Sequence, residues 1–466
     1  MVHLGVGAFH RAHIAVYLHD LLRTDPSWGI IGASLRRPDT RAALAPQDFL
    51  YTLVERGRTG TKTRVIGSLL DVLDASTQRG ALLSAMADPQ IRIVSLTVTE
   101  KGYCHDPASG QLDPDHPDIR HDLDFPEEPI SAPGLIVRAL ELRRTAGVRP
   151  FTVLSCDNLP ANGETTARVV TRFAALRNGG LADHIARDVA FPSTMVDRIV
   201  PATTDDDRRH VLEATGVVDA WPVVAEPFSQ WVIEDRFATD RPPLETVGAQ
   251  LVADVQPFER MKLRMLNGSH STLAYLGYLA GYDYVDEAIS NPAFHTLLRA
   301  FMTEEVMTTL PGDLGDLAAY RDTLLDRFAN PTLRHRTWQI AMDGSQKLPQ
   351  RLLGTLRDLL SQGRPITLTA LGVAAWMRYA TGVDERGRAI DVRDPLAERL
   401  QTTAASAGGM PARLVDSFLR VSEIFGHDLP QCEAFRAELT SHLDALLRRG
   451  ARETVQEVTN RMRIGD

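Results

Sequence analysis

The stretch Val2-His-Leu-Gly-Val-Gly7 decides the fold of the first half of the chain. Its apolar residues predict a short buried strand that ends in a glycine turn, and the pattern over 12–22 predicts a helix directly after it. A Gly5-x-Gly7 pair between a strand and a helix begins a dinucleotide-binding fingerprint, in which the glycines let the backbone approach a pyrophosphate. His10 stands where the fingerprint has its third glycine.

A second strand and an acidic residue follow in the order that a dinucleotide-binding unit requires. Trp28–Leu35 is predicted to be a strand, and Asp39 lies just beyond its end. A carboxylate at this place binds the ribose hydroxyls of NAD, whereas an arginine accommodates the extra phosphate of NADP. We therefore expect NAD, although Arg36 and Arg37 beside Asp39 leave NADP open.

Two further apolar runs predict strands whose carboxyl ends carry polar residues. Ile91–Thr99 is followed by Glu100, and Phe151–Ser155 is followed by Asp157 and Asn158. Ligands of open parallel sheets bind beyond the carboxyl ends of the strands, so these residues are site candidates. Turn formation or helix capping is the simpler interpretation of Asp157.

The character of the sequence changes near residue 256. Before it, strands and helices alternate, and Asp197-Arg198 is a charged pair in an apolar run that predicts either a buried ion pair or part of a site. After it, amphipathic helical patterns dominate, as in Asn291–Met302, Asp316–Phe328, Arg351–Leu360, Thr367–Tyr379 and Phe435–Leu447. We predict an α/β protein with a Rossmann-like dinucleotide-binding domain (1–256), an all-α domain (257–466), and a substrate cleft where the two meet.

The stretch Lys262-Leu-Arg-Met-Leu-Asn267-Gly-Ser-His270 lies in a predicted helix over 257–281. At ~100° per residue, Lys262, His270 and Asn267 project at roughly 0°, 80° and 140° around the axis, with Glu259 at roughly 60°. An amine, an imidazole, an amide and a carboxylate thus share one side of a helix. This mixture favours a proton-transfer site, and a surface helix with a chance cluster is the alternative.

Composition excludes several classes of protein. A chain of 466 residues with a net charge of −9 is long enough for more than one domain and does not favour a nucleic-acid or anionic-membrane partner. The three cysteines form no disulfide framework, and Cys104-His105 lacks a second pair to complete a zinc site. With no signal peptide and no membrane-spanning apolar run, we expect a cytoplasmic protein without a metal ion.

Four motifs together resemble a known family. Gly5-Val-Gly-Ala-Phe-His-Arg-Ala-His13, Thr97-Val-Thr-Glu-Lys-Gly-Tyr103, Ser155-Cys-Asp-Asn158 and Lys262-(x)4-Asn267-(x)2-His270 resemble the polyol-specific long-chain (mannitol) dehydrogenases over essentially the whole chain. The run 334–350 is most similar to the fructuronate reductase (mannonate oxidoreductase) branch, as is Trp376-Met-Arg-Tyr379, while mannitol dehydrogenases tend to carry arginine in place of Gln339. Relatives usually have residues before the first strand, so we expect a misassigned start or a missing cover of the nucleotide site.

The resemblance implies a zinc-independent, NAD-dependent enzyme that interconverts D-fructuronate and D-mannonate. Lys262 would be its general acid/base, Asn158 and Asn267 would hold the reacting oxygen, His270 would orient the substrate hydroxyl, and Asp197 and Glu259 would tune the lysine or relay its proton. The implied cofactor-binding residues are Gly5, Gly7, Ala8, Phe9, Asp39, Thr99 and Glu100, and the implied substrate-binding residues are Arg334, His335 and Lys347.

A hexuronate carries a carboxylate, which a guanidinium binds in a two-pronged geometry. Arg334, Arg336, Lys347 and Arg378 are the basic candidates, and surface or interdomain ion pairing is the alternative interpretation of each. Two other functions stay open: a mannitol 2-dehydrogenase or related enzyme of neutral sugars, and an inactive nucleotide-binding sensor. We expect a small sugar acid or polyol as the partner, and a monomer or small homo-oligomer.

Overall fold

The computed structural model describes residues 1–106 and 110–465. By its internal contacts the chain divides into two compact units, Met1–Gln256 and Pro257–Asp466. The first contains a parallel sheet with helices and the second is helical, which confirms the predicted fold class. None of the helices in the described residues has the length and apolar character that crossing a bilayer requires.

The strands described in the first unit form three sheets. Its strands are β1 (Val2–Leu4), β2 (Ile30–Ser34), β3 (Tyr51–Gly57), β4 (Gly60–Ile66), β5 (Leu69–Asp74), β6 (Ile93–Leu96), β7 (Thr152–Ser155), β8 (Thr194–Asp197), β9 (Val223–Ala225), β10 (Gln230–Glu234) and β11 (Gln250–Val252). The main sheet has the order β5-β2-β1-β6-β7, and all its neighbouring strands are parallel. This is the order of a dinucleotide-binding sheet, whose ligand crevice lies where the chain direction across the sheet reverses, between β1 and β6. The smaller sheets are β11-β10-β8 and β4-β3-β9.

Apolar side chains cover both faces of the main sheet. Val2 and Leu4 belong to one apolar cluster, as do Val94 and Val153, whereas Ile93 belongs to a second cluster. Successive side chains of a strand point to opposite faces, so burial on both faces produces continuous apolar runs rather than an alternating pattern. That is why the central strands were recognisable in the sequence.

The strands expected over Trp28–Leu35, Ile91–Thr99 and Phe151–Ser155 are confirmed with shorter bounds. The antiparallel pair of β3 and β4 was not predicted. Most of β4 is exposed, so its sequence lacks the apolar run that marks a buried strand. The single helix expected over 12–22 is two helices that meet at His13, where the backbone is not helical.

The α-helices of the first unit connect the strands and pack on them. They are Ala8–Ala12, Ile14–Leu21, Asp39–Leu44, Arg79–Ala87, Pro117–Asp124, Ala132–Thr145, Asn162–Arg177, Gly179–Asp188 and Asp205–Thr215, with 3-10 turns at Ala45–Gln47, Glu100–Tyr103 and Leu244–Val247. Several begin with side-chain caps. Thr204, for example, forms a reciprocal capping box with Asp207, which ties the first turn of Asp205–Thr215.

The second unit is helical throughout its described elements, which confirms the helices predicted there. Its α-helices are Gln256–Met261, Ser269–Leu279, Val285–Ile289, Pro292–Ala300, Leu317–Phe328, Thr337–Ala341, Gly344–Leu348, Gly354–Ser361, Thr367–Ala380, Ala397–Ser406, Pro411–Leu419, Ser422–Phe425 and Glu433–Gly465, the last interrupted at Gly450, with 3-10 turns at Met307–Thr309 and Leu429–Gln431. Lys262–Gly268, Phe301–Val306 and Pro349–Leu353 are π-helical.

The helix Thr367–Ala380 is the centre of the second unit. Nearly all its side chains are buried, and it packs against Ser269–Leu279 and Glu433–Gly465. A helix that is apolar all round is one that other helices surround. The buried carboxylate of Glu305 accepts the backbone N–H groups of Leu368 and Thr369, each at 2.7 Å, and so satisfies the first turn of this helix. The segment that follows Lys262 therefore rests on a fixed element.

Candidate functional site

Lys262, Asn267 and His270 lie on one continuous helical stretch whose middle is π-helical over Lys262–Gly268. The i→i+5 hydrogen bonding of a π-helix lengthens the repeat, so Lys262 and Asn267 lie at a smaller angle to each other than the roughly 140° expected for an α-helix. The exposed fractions of Lys262, Asn267 and His270 are 9%, 8% and 8%, so they do not form a solvated face. π-helical turns occur frequently at functional sites.

Close backbone packing holds this π-helical stretch in place. It lies against a second π-helical segment, Pro349–Leu353, and Gly268 is at the point of contact. A Cβ atom at Gly268 would lie 2.8 Å from the carbonyl oxygen of Arg351. Only glycine therefore allows the two backbones to approach so closely. Asn267 directly precedes Gly268 and His270 lies two residues after it, so a shift of the backbone at Gly268 would move both.

His270 has an environment that keeps its imidazole neutral. The ring packs on Phe328 in a tilted arrangement, with 4.5 Å between centroids, and meets His335 edge-on at 5.4 Å. Burial lowers the pKa of His270 well below its usual range, and the positive charges of Arg351 and Arg327 act in the same direction. A neutral imidazole has one donor and one acceptor nitrogen, so it can hold a hydroxyl group.

His335, a predicted substrate residue, lies beside His270. Burial lowers the pKa of His335 to about 4, and the positive charge of Lys347 contributes to the shift. Its Nδ1 atom is buried and has no hydrogen-bond partner among residues 1–106 and 110–465. The Lys347 ammonium donates to the carbonyl of Met342 at 2.6 Å. Lys347 lies in the short helix Gly344–Leu348.

The other basic candidates have contacts of their own. Arg334 is exposed over 55% of its side chain, and its guanidinium lies 3.6 Å from the ring centroid of Tyr284. Arg336 lies 5.3 Å from the same ring. Arg378 donates to the carbonyls of Val383 and Asp384. The assignment of Arg334 to the substrate stays a prediction, and its present contacts do not support it.

In the first unit, the glycine turn after β1 has the shape that the fingerprint requires. Gly5 has a φ of 97°, and a Cβ atom there would lie 2.2 Å from the carbonyl oxygen of Thr97, so the turn tolerates no side chain. Nothing lies within 4 Å of a Cβ built at Gly7, which leaves room for a ligand to approach the backbone. The third glycine is replaced by His10, whose ring stacks on His3 at 3.6 Å between centroids. The residues present therefore fit a pyrophosphate.

Asp39 begins the helix Asp39–Leu44 and is exposed. The hydroxyl of its neighbour Thr40 donates to the carbonyl oxygen of Val6 in the glycine turn at 3.3 Å, which brings the start of this helix beside the turn. The Arg36 guanidinium pairs with Asp118 at 2.8 Å. Arg36 thus forms its ion pair with Asp118, so it is less available to bind the 2′-phosphate of NADP.

Asp157 ties the end of β7 to the loop that follows β6. Its carboxylate accepts the backbone N–H groups of Val98 and Thr99 at 3.0 and 2.9 Å and the hydroxyl of Tyr103 at 2.7 Å. It holds Thr99 in a conformation with a φ of 64°. Its role is therefore in loop structure, as the simpler interpretation had it. The next residue, Asn158, is exposed at the carboxyl end of the strand.

Asp197 and Arg198 are neighbours in the sequence but contact different residues. Asp197 is buried at the end of β8, opposite Gln230 of β10. Arg198 forms a buried ion pair with Glu55 at 2.5 Å and donates to the carbonyl of Glu226 at 2.9 Å. The ion pair that the sequence left open therefore belongs to Arg198 and Glu55.

A group of potential metal ligands lies elsewhere in the first unit. Atoms of Cys104, His116 and Asp118 lie within 4.8 Å of one another, an arrangement that the adjacent Cys104-His105 pair did not reveal. The Nδ1 atom of His116 accepts the backbone N–H of Asp118, so in the neutral ring Nε2 carries the proton. Asp118 also pairs with Arg36. These contacts do not favour a cation, and the expectation that the protein binds no metal stays a prediction.

The sequence did not indicate Arg351 or Arg327, the two arginines whose positive charges lower the pKa of His270. Arg351 is 81 positions from His270 and was placed only at the start of a predicted helix. No local pattern marks such a residue, because its proximity to His270 arises when two distant helical segments pack.

Two family models match the chain: the mannitol dehydrogenase Rossmann domain over residues 1–246 and the mannitol dehydrogenase C-terminal domain over 254–447. The chain is 51% identical over 461 residues to the D-mannonate oxidoreductase of Escherichia coli (strain K12), covering 98% of this chain and 94% of the relative. It is 43% identical over 470 residues to a mannitol 2-dehydrogenase of Aspergillus fumigatus, covering 99% of this chain and 93% of the relative.

Two solved structures are similar over nearly the whole chain. One is the Pseudomonas fluorescens mannitol 2-dehydrogenase in a ternary complex with NAD and D-mannitol, with a TM-score of 0.86, 43% identity and coverage of 98% of this chain and 94% of that one. The other is a D-sorbitol dehydrogenase in substrate-free form, with a TM-score of 0.89, 34% identity and coverage of 97% and 94%.

We expect Gly268→Ala to lower turnover by about 10²-fold, because the added methyl group must displace Asn267 and His270 from the neighbouring segment. Gly354→Ala is the matched control, since the nearest atoms to a Cβ there lie at 3.6 and 3.8 Å and alanine is the better helix former. Steady-state kinetics and thermal unfolding of both variants provide the measurement. Full turnover by Gly268→Ala would contradict the positioning role of this contact.

Proposed function

This chain belongs to the mannitol dehydrogenase family and is an oxidoreductase that acts on CH–OH groups, and we propose that it interconverts D-fructuronate and D-mannonate with NAD. The observation that carries the choice of a sugar acid is the set of basic side chains around His270. The positive charges of Arg351 and Arg327 lower the pKa of His270, and that of Lys347 lowers the pKa of His335, which burial holds neutral. An anionic substrate would be attracted to such a group of charges.

The cofactor proposal is supported by the fit of the glycine turn and by the NAD complex of the P. fluorescens relative. The proposed contacts are Gly5, Gly7, Ala8, Phe9, Asp39, Thr99 and Glu100. When bound, the cofactor would supply a hydride as NADH for the reduction and would accept one as NAD in the oxidation. Asp39 would bind the ribose hydroxyls, and the pairing of Arg36 with Asp118 supports NAD over NADP.

Lys262 is proposed as the general acid/base. During reduction of a ketone, negative charge builds on the carbonyl oxygen, and the ammonium group donates a proton to it. In the oxidation the amine must be neutral to accept the alcohol proton, although an unperturbed lysine has a pKa of ~10.4. The burial of Lys262 supports a lowered pKa, because desolvation disfavours the charged form. Asp197 and Glu259 are proposed to limit that shift or to relay the proton.

The remaining catalytic roles follow from the chemistry of the side chains. The amides of Asn158 and Asn267 are proposed to donate hydrogen bonds to the reacting oxygen, which stabilises the charge that develops there. His270 is proposed to orient a substrate hydroxyl, and its neutral imidazole supports this role.

A second candidate is a mannitol 2-dehydrogenase that acts on neutral polyols. It is supported by the 43% identity to the P. fluorescens enzyme, whose complex contains D-mannitol. The position where mannitol dehydrogenases tend to carry arginine is Gln339 in this chain, and Gln339 is exposed.

Substrate choice is tested by following NADH oxidation with fructuronate, tagaturonate, fructose and xylulose at equal concentrations. We expect the highest kcat/KM with fructuronate, because the basic residues near His270 compensate a carboxylate. The reverse reaction is measured with mannonate and mannitol. Faster oxidation of mannitol than of mannonate would reject the sugar-acid assignment and support the second candidate.

Lys262→Ala should lower turnover by ~10²–10⁴-fold, the usual contribution of a general acid/base, while NADH still binds. Lys62→Ala is the control, since it removes an exposed lysine from β4 and should change neither quantity. The measurements are steady-state kinetics and NADH fluorescence titration. A loss of only a few-fold in Lys262→Ala would mean that the proton travels by another route.

Asp39→Ala should weaken NAD binding by ~10- to 100-fold, because it removes hydrogen bonds to a charged group, and should narrow the preference for NAD over NADP. Asp183→Ala removes an exposed carboxylate from the first unit and serves as the control. Affinities for both cofactors are measured by titration. Unchanged NAD affinity in Asp39→Ala would reject its assignment to the ribose.

A further inference from the structure

We propose that Arg351 binds the carboxylate of the substrate and selects a sugar acid over a neutral sugar. The inference rests on the proposed function, to which it adds the residue that determines specificity. Arg351 was not among the basic candidates that the sequence offered.

The position of Arg351 is fixed by the backbone. It lies in the π-helical segment Pro349–Leu353, whose carbonyl at residue 351 makes the close contact with Gly268. Its guanidinium donates from NH1 to the hydroxyl of Ser271 at 3.1 Å. Ser271 directly follows His270, and the positive charge of Arg351 contributes to lowering the pKa of the His270 imidazole. The guanidinium is therefore held by the residue that directly follows His270, the residue proposed to orient the substrate.

Arg351 is partly buried, and within the described part of the chain its guanidinium has neither a carboxylate nor a backbone carbonyl as a partner, unlike the buried arginines that follow. Arg198, Arg264 and Arg321 pair with Glu55, Asp358 and Asp322. Others donate to backbone carbonyls: Arg143 to Met86, Asp88 and Arg149, and Arg378 to Val383 and Asp384. The one hydrogen bond described for the Arg351 guanidinium goes to a neutral hydroxyl.

A guanidinium that has lost much of its hydration without gaining an anion is costly, since the charge is not compensated. Burial lowers the pKa of Arg351, and the only other group that shifts it is the phenol of Tyr275, so no carboxylate contributes. One bond to Ser271 leaves N–H donors for a two-pronged contact. An anionic ligand would supply the missing partner.

The surroundings of Arg351 favour an anion over a neutral group. His270 and His335 are held neutral by burial, so they offer hydrogen bonds without adding to the positive charge. The positive charges of Arg327 and Lys347 lower the pKa values of His270 and His335 respectively, so each of these two imidazoles has a cation near it.

The test compares two ketoses that differ in the carboxylate, fructuronate and fructose, in the wild type, Arg351→Gln, Arg351→Lys and the control Arg364→Gln. Arg364 is exposed in the turn after Gly354–Ser361. We expect Arg351→Gln to lower kcat/KM for fructuronate by ~10- to 150-fold, mainly through KM, as for the loss of a hydrogen bond to a charged group. For fructose, kcat/KM should stay within about 3-fold of wild type, since that ligand makes no ion pair.

Arg351→Lys keeps the charge but loses the two-pronged geometry, so we expect it to recover part of the fructuronate activity. Thermal unfolding and NADH titration of each variant identify any loss of folding. If Arg351→Gln does not fold, the same selective loss, of ~10-fold, is required of Arg351→Lys.

Equal losses for fructuronate and fructose, or no loss for fructuronate, would overturn the proposal, because Arg351 would then be structural or uninvolved. The wild-type arm tests the proposed function separately. A wild type that turns over fructose but not fructuronate rejects the sugar-acid substrate itself. A selective loss in Arg351→Gln with an unchanged Arg364→Gln supports both.

Discussion

The close contact between Gly268 and the backbone of Arg351 is the constraint on which the candidate site depends. It holds two π-helical segments side by side, and each carries a polar group into the interior: Lys262 and Asn267 from one, Arg351 from the other. A π-helical turn is less stable than an α-helical one and persists where packing supports it. Here the support comes from the buried helix Thr367–Ala380, against which the continuation of the first segment packs.

Burial gives these polar side chains their chemical character. A histidine in water is partly protonated near neutral pH, whereas His270 and His335 lose that charge because burial penalises it. The same penalty acts on an amine and supports the proposal that Lys262 exchanges a proton near neutral pH. Arg351 keeps its charge, as arginine does in proteins, and so becomes the group that requires an anion. One physical effect thus supports different roles for imidazole, amine and guanidinium.

In the first unit the important feature is the shape of the backbone rather than the burial of polar side chains. Gly5 turns against the Thr97 carbonyl, and Asp157 holds the loop at Thr99 by accepting two backbone N–H groups. These contacts shape the carboxyl ends of β1 and β6, where a parallel sheet of this order binds its ligand. His10 stands at the position of the third glycine of the fingerprint, and its ring stacks on His3 of β1.

The sequence by itself determined the fold class, the central strands and the helices of the second unit, because apolar periodicity reports directly which faces are buried. It also indicated Lys262, Asn267 and His270, whose spacing is local. It did not reveal β4, which is exposed, or the π-helical geometry, which no residue pattern encodes. Only the tertiary structure decided that Arg334 lies on Tyr284 at the surface while Arg351 binds Ser271, the residue after His270. The physical reason is that a charged side chain carries no local signal of its partner: whether it meets water, an ion pair or a ligand depends on segments that are distant in the chain and adjacent only after folding.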